Sequence, residues 1–374
     1  MTAMTSGHGA SVRTAACGAT GTSPRAPAAG SPSAVPLPPC AAAVALATAL
    51  LLAGCGAAAA QPTATPTHTT ASASLVAPPG PATGAAGGTT TYPLTLKDDA
   101  GRTVTIKARP LRIISITLGT DEILPALVAK SRIVGVTAFA SDATMSFAAG
   151  EVGGIAQFAK ANAEQAIALK PDVVFASSYT APGVVKQMAD AGIPVVEFTG
   201  FSSLADIEAH STTIATISDD QGRGKALVAA MQREVAAVEG AVASQAKPRV
   251  VFYSYGTVYG SGTTMDELIR AAGGINAAAA AGIHSWKDVG PEEIVQLNPD
   301  VLLTDDSGTG DTFQGAAVQK ILADPAYKGV KAVQSKAVWG LSGRADSDVS
   351  QYMAWDVQDV ASILHPGQVK AYRP

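Results

Sequence analysis

The chain has 374 residues, of which 47% are hydrophobic and 15% are charged, and its formal net charge is −4. That length is enough for two domains of ordinary size. The small net charge gives no support for nucleic-acid binding, which needs a concentrated basic patch. No apolar run in the sequence reaches the roughly 18–20 residues of a membrane-spanning helix.

The start of the chain is predicted to lie outside the fold. Residues 41–53 (AAAVALATALLLA) form an apolar run of signal-peptide length, and Gly54 and Cys55 follow it directly. This ending resembles the lipobox of bacterial lipoproteins, where the chain is cut before the cysteine and the thiol receives a diacylglycerol. We predict a signal peptide over residues 1–54 and lipidation at Cys55. An ordinary signal peptide with a chance cysteine is the alternative.

The cysteine count fits a lipid anchor. Cys17 and Cys40 precede the predicted cut, so the mature chain keeps only Cys55 and has no pair for a disulfide. Residues 55–91 are mostly Ala, Thr, Pro, Ser and Gly, a composition that cannot bury enough apolar surface to fold. We therefore predict a disordered linker that tethers the protein to the outer face of the cell membrane.

An α/β unit is predicted over residues 92–218. It opens with a β-hairpin that turns at Asp99-Ala100-Gly101, since apolar and polar residues alternate on either side. A first buried strand follows at residues 112–116. Residues 164–176 (EQAIALKPDVVFA) then read as a helix that ends at a proline and leads into another buried strand. Alternation of strands with helices predicts a parallel sheet covered on both faces.

A long helix is predicted within the connecting segment 219–246. Either Asp219 or Asp220 can serve as its N-cap, and Pro248 ends it. About 26 helical residues would span about 39 Å, the width of a small domain. The predicted apolar stripe consists of Leu227, Met231, Val235, Val238 and Val242. A surface helix of a single domain is the alternative.

The sequence after this helix repeats the pattern before it. Residues 292–304 (EEIVQLNPDVLLT) resemble residues 164–176, and the strand at 249–253 corresponds to the one at 112–116. We therefore predict an α/β protein with two Rossmann-like lobes joined by one long rigid helix, with a ligand cleft between the lobes. The second lobe is assigned to residues 247–366 and a tail to 367–374.

Short motifs recur along the folded part in a recognisable order. They are DDAGRTV at 98–104, RIIS at 112–115, LKPDVV at 169–174, DELI at 266–269, AGGIN at 272–276 and NPDV at 298–301. In this order the chain resembles the substrate-binding proteins of ABC importers for ferric siderophores, cobalamin and haem. The resemblance implies limited closure of two lobes on a metal chelate, a monomer, and delivery to permease subunits. A ferric siderophore is expected first, then cobalamin or haem.

The resemblance also implies that one acidic residue on each lobe docks on arginines of the permease. Glu164 fits this position on the first lobe. On the second lobe Arg270 stands where the family has its acid, and Glu267, one helical turn earlier, is the nearest substitute. An ordinary solvated acid on a helix surface is the alternative for both.

Aromatic residues make up only 5% of the chain, so their positions are informative. Flat apolar faces that carry a hydroxyl or N–H group suit a large chelate. The predicted ligand-binding residues are Phe139, Phe158, Tyr179, Tyr255, Tyr259, His284, Trp286 and Arg344. Among them Phe139 and Phe158 match cleft aromatics of the family. His284 would serve as an axial ligand if the guest is haem, and Arg344 would pair with an acidic group of the ligand.

No resident metal site and no cofactor other than the lipid are expected. A bare metal site needs three or four converging His and carboxylate ligands, and the folded part has only three histidines, His210, His284 and His365. A metal is therefore expected to arrive already chelated. The rival hypothesis is a lipid-anchored α/β hydrolase, for which Ser261, His284 and Asp305 are the candidate trio. We expect a binding protein rather than an enzyme.

Overall fold

The computed structural model of the protein describes residues 88–306 and 314–372. The predicted signal peptide, Cys55 and most of the predicted linker lie outside these residues. The last residues of the linker prediction, 88–91, contact the folded part instead. The backbone N–H of Thr90 donates to Asp219 Oδ1 at 2.9 Å, and its hydroxyl donates to the carbonyl of Thr216 at 2.8 Å. The fold therefore begins a few residues earlier than predicted.

The predicted hairpin is confirmed. Strands β1 (Leu94–Lys97) and β2 (Thr103–Ile106) pair antiparallel around the predicted turn. Asp98 lies in the turn and is buried, and its carboxylate accepts hydrogen bonds from Arg102 at 2.6 Å and from the backbone N–H of Glu197 at 3.2 Å. These contacts fix the hairpin to the edge of the first sheet.

The first lobe contains a five-stranded parallel sheet. Its strands are β3 (Ile113–Ser115), β4 (Ile133–Thr137), β5 (Ala156–Phe158), β6 (Val173–Ser177) and β7 (Val195–Phe198). Their spatial order is β5-β4-β3-β6-β7. The helices of this lobe are α1 (Leu118–Leu127), α2 (Ala163–Ala168), α3 (Pro182–Asp190) and α4 (Leu204–Ser218). Buried Val, Ile and Phe in the strands explain why helices cover both faces.

Helix α5 (Gln221–Val242) connects the lobes and has 22 residues, fewer than predicted. Of the two predicted N-cap residues, Asp220 occupies the N-cap position, but its carboxylate makes ion pairs rather than capping hydrogen bonds. Asp219 instead ends α4 in the left-handed conformation with φ of 62°. The helix contacts α1 and α4 on one side and two helices of the second lobe on the other. It therefore contributes to a core that both lobes share.

The second lobe has a mixed sheet. Its strands are β8 (Arg249–Ser254), β9 (Thr257–Tyr259), β10 (Ile275–Asn276), β11 (Trp286–Asp288), β12 (Val301–Asp305) and β13 (Val338–Leu341). The order is β11-β9-β8-β12-β13, with β10 beside β8. The helices are α6 (Thr264–Ala271), α7 (Ala277–Ala280), α8 (Pro291–Leu297), α9 (Ala316–Ala323), α10 (Lys331–Gln334), α11 (Gly343–Ser347) and α12 (Met353–Leu364).

The second sheet also contains antiparallel pairs, β8–β9 and β9–β11. A two-residue turn joins β8 to β9, where Tyr255 and Gly256 both adopt positive φ, 49° and 87°. That geometry matches the right-handed twist of a tight hairpin, and glycine allows it without steric cost. The predicted α/β class with two lobes is otherwise confirmed. Within the described residues, no helix is long and apolar enough to cross a membrane.

Candidate functional site

A cavity of about 270 Å³ lies between the lobes. On the first lobe it is bordered by residues that follow the carboxyl ends of β3, β6 and β7, and on the second lobe by β9, β11 and the start of α6. Ligand sites of open α/β sheets lie at this end of the strands. The lining residues are Thr117, Tyr179, Thr199, Phe201, Ser202, Tyr259, Thr263, Thr264, Met265, Trp286 and Val349.

Hydroxyl groups and aromatic faces dominate this lining, and none of its described side chains is charged. Two of the hydroxyls are used within the protein. Thr263 Oγ1 donates to the carbonyl of Gly260 at 2.8 Å, and Thr264 Oγ1 donates across the cleft to the carbonyl of Phe201 at 3.3 Å. The remaining Ser and Thr hydroxyls and the phenol of Tyr179 suit hydrogen bonds to a ligand rather than ion pairs.

Two helices begin at the cavity. Thr117 directly precedes α1 in the first lobe, and Thr263 precedes α6 in the second. The N-terminus of a helix carries unpaired N–H groups and a partial positive charge. Thr263 satisfies one of these donors in α6 by accepting from the N–H of Asp266 at 3.2 Å, whereas the side chain of Thr117 makes no such bond. The cavity therefore favours ligand groups that accept hydrogen bonds.

The indole of Trp286 is held at the cavity by a row of aromatic rings. It meets Tyr259 edge-on at 6.3 Å, and Tyr259 meets the fully buried Phe252 edge-on at 4.8 Å. Trp286 is 54% exposed, and Tyr179 on the opposite lobe is 81% exposed. Exposed rings on facing lobes present flat surfaces between which a planar or bulky ligand fits.

The structure brings three of the predicted ligand-binding residues to the cavity: Tyr179, Tyr259 and Trp286. Phe158 does not lie there. It is 3% exposed and packs in the core of the first lobe, where its ring would meet a Cβ placed on Gly135 at 2.6 Å. The prediction for Phe158 is wrong because its side chain points to the covered face of the sheet.

Four other predicted residues are near the cleft or behind it but do not line the cavity. Phe139 follows β4, on the side of the sheet away from β7, and Tyr255 is 89% exposed in the β8–β9 turn. The guanidinium of Arg344 stacks over the ring of Phe147 at 4.6 Å. His284 lies two residues before Trp286 and contacts Ser261. Their roles in binding stay predictions.

Ser261 and His284 are in contact, as the rival hydrolase hypothesis required. The hydroxyl of Ser261 lies 2.6 Å from His284 Nδ1. A catalytic serine instead contacts Nε2, while a carboxylate orients Nδ1. Asp305 is buried at the end of β12 whereas His284 is exposed, and no carboxylate contacts this ring among the described residues. The pair instead joins two loops, together with the bond from the Ser261 N–H to the carbonyl of Ile283 at 3.0 Å.

The two predicted docking acids differ in their surroundings. Glu164 is exposed in the first turn of α2. Glu267 on α6 forms an ion pair with Arg270 at 3.0 Å, so its charge is partly offset. Arg270, the residue that departs from the family pattern, thus engages the proposed substitute. Among the described residues, no group of three or more His, Cys, Asp or Glu is arranged to hold a metal ion.

Comparison with known proteins agrees with this geometry. The model of the family described as periplasmic binding protein matches residues 113–345. The chain belongs to this family. It is a family of extracytoplasmic binding proteins and not of enzymes, so the resemblance seen in the sequence motifs is confirmed and the hydrolase hypothesis finds no support.

Individual members share about a quarter to a third of their residues with the chain. The cobalamin-binding protein of Halobacterium salinarum is 30% identical over 241 residues, 63% of this chain and 65% of that protein, so slightly less than two thirds of the relative is matched. The uncharacterized ABC transporter substrate-binding lipoprotein YvrC of Bacillus subtilis is 26% identical over 75% of this chain and 88% of its own length. Apo RhuT, the periplasmic heme-binding protein of Roseiflexus sp. RS-1, aligns with a TM-score of 0.59 and 27% identity over 69% of this chain and 98% of its own.

Sequence reasoning missed most of the hydroxyl residues of the cavity, such as Thr117, Thr199 and Ser202. Their positions in the sequence could have identified them as candidates, because each follows the carboxyl end of a predicted strand. Short polar residues are common in all loops, however, and only the strand order shows which loops meet.

Proposed function

We propose that the protein is the extracytoplasmic solute-binding component of an ABC importer and that it captures a metal chelate, with cobalamin as the first candidate. The uncharged lining of the cavity carries this proposal. Cobalamin offers many amide oxygens that accept hydrogen bonds and a large apolar face, which match the hydroxyl groups, helix N-termini and aromatic rings described above.

An anionic chelate fits the described residues less well. Burying a charged group is costly unless a partner charge or several hydrogen bonds compensate. Arg344 was predicted to supply such a partner charge, but its guanidinium stacks on Phe147. Haem would require an axial ligand, and His284, predicted for that role, does not line the cavity. The identity to the cobalamin-binding protein of Halobacterium salinarum supports the same ranking.

An uncharged ferric hydroxamate is the second candidate, since its oxygen atoms would meet the same donors. The cavity volume of about 270 Å³ is below the usual range of about 300–1,000 Å³ for small-molecule sites. We infer that part of the guest extends out of the cavity and rests against the exposed rings of Tyr179 and Trp286.

Attachment and delivery follow the sequence-based expectations. Cys55 would carry the lipid, and residues 56–87 would give the binding unit reach from the membrane surface. Glu164 would dock on the permease, with Glu267 as the second contact. The lipoprotein YvrC of Bacillus subtilis, similar over 75% of this chain, supports a lipid anchor.

A binding titration tests the ligand. The purified chain would be titrated with cyanocobalamin, a neutral ferric trihydroxamate and haemin, with quenching of tryptophan fluorescence and calorimetry as readouts. We expect cyanocobalamin to bind in the micromolar range or tighter. Trp286→Ala should weaken binding about tenfold or more, because a stacked ring contributes roughly 1–3 kcal/mol. Leu111→Ala, which removes an exposed apolar side chain before the amino end of β3 and outside the cavity, is the control. Tighter binding of haemin or the hydroxamate would make that compound the first candidate in place of cobalamin. Binding of none of the three would contradict the proposal that the guest is a metal chelate.

A further inference from the structure

Three carboxyl groups meet behind the floor of the cleft. Glu122 belongs to α1 in the first lobe, Asp348 lies between α11 and α12 in the second lobe, and Asp356 is in the first turn of α12. They are 1%, 2% and 1% exposed. The carboxyl group of Asp348 interacts with both of the others. We call Glu122, Asp348 and Asp356 the acid cluster, and it crosses the boundary between the lobes.

In Glu122 and in Asp348, one carboxyl oxygen accepts two hydrogen bonds. Glu122 Oε1 accepts from the hydroxyl of Ser146 and the N–H of Phe147, each at 2.8 Å. Asp348 Oδ1 accepts from the N–H and hydroxyl of Ser350 at 2.8 and 2.7 Å. The other oxygens do not find such donors. Glu122 Oε2, Asp348 Oδ2 and Asp356 Oδ2 are buried without a hydrogen-bond partner among the described residues.

These unpartnered oxygens indicate bound protons. An ionised carboxylate only accepts hydrogen bonds, so two carboxylates in contact need a proton between them. Burial raises the pKa of all three groups, and the pKa of Asp356 rises to about 7. No group of the described residues is arranged for a metal ion that would take the place of the protons.

The surrounding charges largely add to this effect. Tyr352 faces Glu122 and Asp348, and Asp121 lies beside Glu122 on α1, where its own pKa is raised to about 7, mainly by burial. Arg344 is a cation that acts on the cluster, and it lowers the pKa of Asp356. Its guanidinium also lies 4.6 Å from the centre of the Phe147 ring.

Contacts that join the two lobes and form the floor of the cavity lie beside the acid cluster. Gln351 Nε2 donates to the carbonyl of Glu122 at 2.8 Å, and the ring of Phe147 lies 4.9 Å from that of Tyr352. Val349, directly after Asp348, lines the cavity, and its carbonyl lies so close to Gly119 that a Cβ there would come within 2.7 Å. A displacement of Asp348 would therefore move a residue that faces the guest.

We propose that Glu122, Asp348 and Asp356 form a proton-binding site that holds the two lobes together behind the cleft, and that loss of its protons loosens this contact. Ionised carboxylates in a water-excluded layer repel one another and require water. Water enters most readily by separation of the two surfaces that the cluster joins. The proposal does not depend on the identity of the guest.

Hydrogen exchange of the full chain without ligand tests the proposal. Mass spectrometry at pH 5.5 and pH 8.5, corrected for the intrinsic pH dependence of exchange, would follow segments 118–127 and 348–356. We expect protection in both segments to fall at least tenfold at the higher pH, while protection of β8 changes less. Asp348→Asn replaces a carboxyl by a neutral amide with its own donors, so it should abolish the fall. Asp356→Asn serves as a second variant if the first does not fold.

Glu234→Gln is the control, because Glu234 is also a buried acid but lies on α5 outside the cluster. It should keep the local fall in protection. Equal protection at both pH values in the unmodified chain would overturn the proposal, as would an unchanged fall in both Asn variants. A bound sodium, potassium or divalent ion in native mass spectra, lost in Asp348→Asn, would also overturn it by showing a cation where we place protons.

Discussion

Arg132 Nη1 lies 2.7 Å from Asp220 Oδ2, and the two side chains form a buried ion pair at the start of the connecting helix. The same guanidinium donates to the carbonyls of Pro110 and Ser218 at 2.6 and 2.7 Å. Arg223 meets the other oxygen of Asp220 at 3.0 Å. The guanidinium of Arg132 and both carboxylate oxygens of Asp220 therefore have partners within the protein. The ion pair joins the segment before β3, α4 and α5 at one point.

Asp220→Ala should lower the free energy of unfolding by about 3–5 kcal/mol, because it leaves the buried guanidinium of Arg132 without its counter-charge. Denaturant unfolding followed by circular dichroism measures the loss. Asp219→Asn is the matched control, since Asp219 is more exposed and 3.7 Å from Arg109, and asparagine also adopts the left-handed conformation found there; it should cost about 1 kcal/mol or less. Equal losses in both variants would show that the pair does not anchor the helix.

Two glycines of α5 provide a second comparison. A Cβ on Gly224 would lie 2.4 Å from the Cβ of Ala215 on α4, whereas a Cβ on Gly240 would meet nothing within 4 Å. Gly240→Ala should stabilise the protein by about 0.5–1 kcal/mol through helix propensity. Gly224→Ala should instead destabilise it by about 1–3 kcal/mol, because overpacking outweighs the same gain. Stabilisation by both changes would mean that α4 and α5 do not pack closely at this point.

The sequence predicted the order of strands and helices well, because that information is local. Apolar runs and a proline stop predicted a helix and a buried strand over residues 164–176, where the structure has α2 and β6. Features that depend on distant residues were not predictable. Gln351 donates to Glu122 across 229 positions, and no periodicity marks three carboxyls that converge in the fold. Phe158 shows a related limit, since an aromatic residue at a strand end suits both a core and a cleft.

Phe158 and Phe139 offer a test of that distinction. Phe158→Ala should lower the free energy of unfolding by about 3–5 kcal/mol, because it leaves a cavity in the first-lobe core. Phe139, 53% exposed, should tolerate the same change within about 0.5 kcal/mol. Thermal unfolding together with titration of cyanocobalamin separates the two effects. Loss of binding in Phe158→Ala without loss of stability would return Phe158 to the ligand site.

Glu234 on α5 predicts a pH dependence of stability. Its carboxyl is buried, Oε1 has no hydrogen-bond partner among the described residues, and burial raises its pKa to about 7. The folded chain thus holds this proton more tightly than the unfolded chain, where the pKa is about 4.3. The free energy of unfolding should fall as pH rises from about 4 to about 7, and then stay level with respect to this group.

The size of this effect follows from about 1.4 kcal/mol for each pKa unit, which gives as much as about 4 kcal/mol. Glu234→Gln removes the titration, so the variant should exceed the unmodified chain in stability at pH 8 and lose this part of the slope between pH 4 and pH 7. Glu239→Gln, an exposed acid of the same helix, is the control. Parallel stability curves for Glu234→Gln and the unmodified chain would contradict the raised pKa.

The two proposed docking acids should not contribute equally to transport. Glu164 is exposed, whereas Glu267 is paired with Arg270 at 3.0 Å, which offsets its charge before any permease arrives. Glu164→Arg should abolish uptake of radiolabelled cyanocobalamin by cells that carry the chain and its permease, since a reversed charge repels the arginines of the partner. Glu267→Arg should reduce uptake less, and Arg270→Ala should increase it by freeing Glu267. Each variant must bind cyanocobalamin as the unmodified chain does, and Glu239→Arg controls for surface charge. Normal uptake in Glu164→Arg would remove the docking role of this acid, while equal losses at Glu164 and Glu267 would show that the pair with Arg270 opens on contact with the permease.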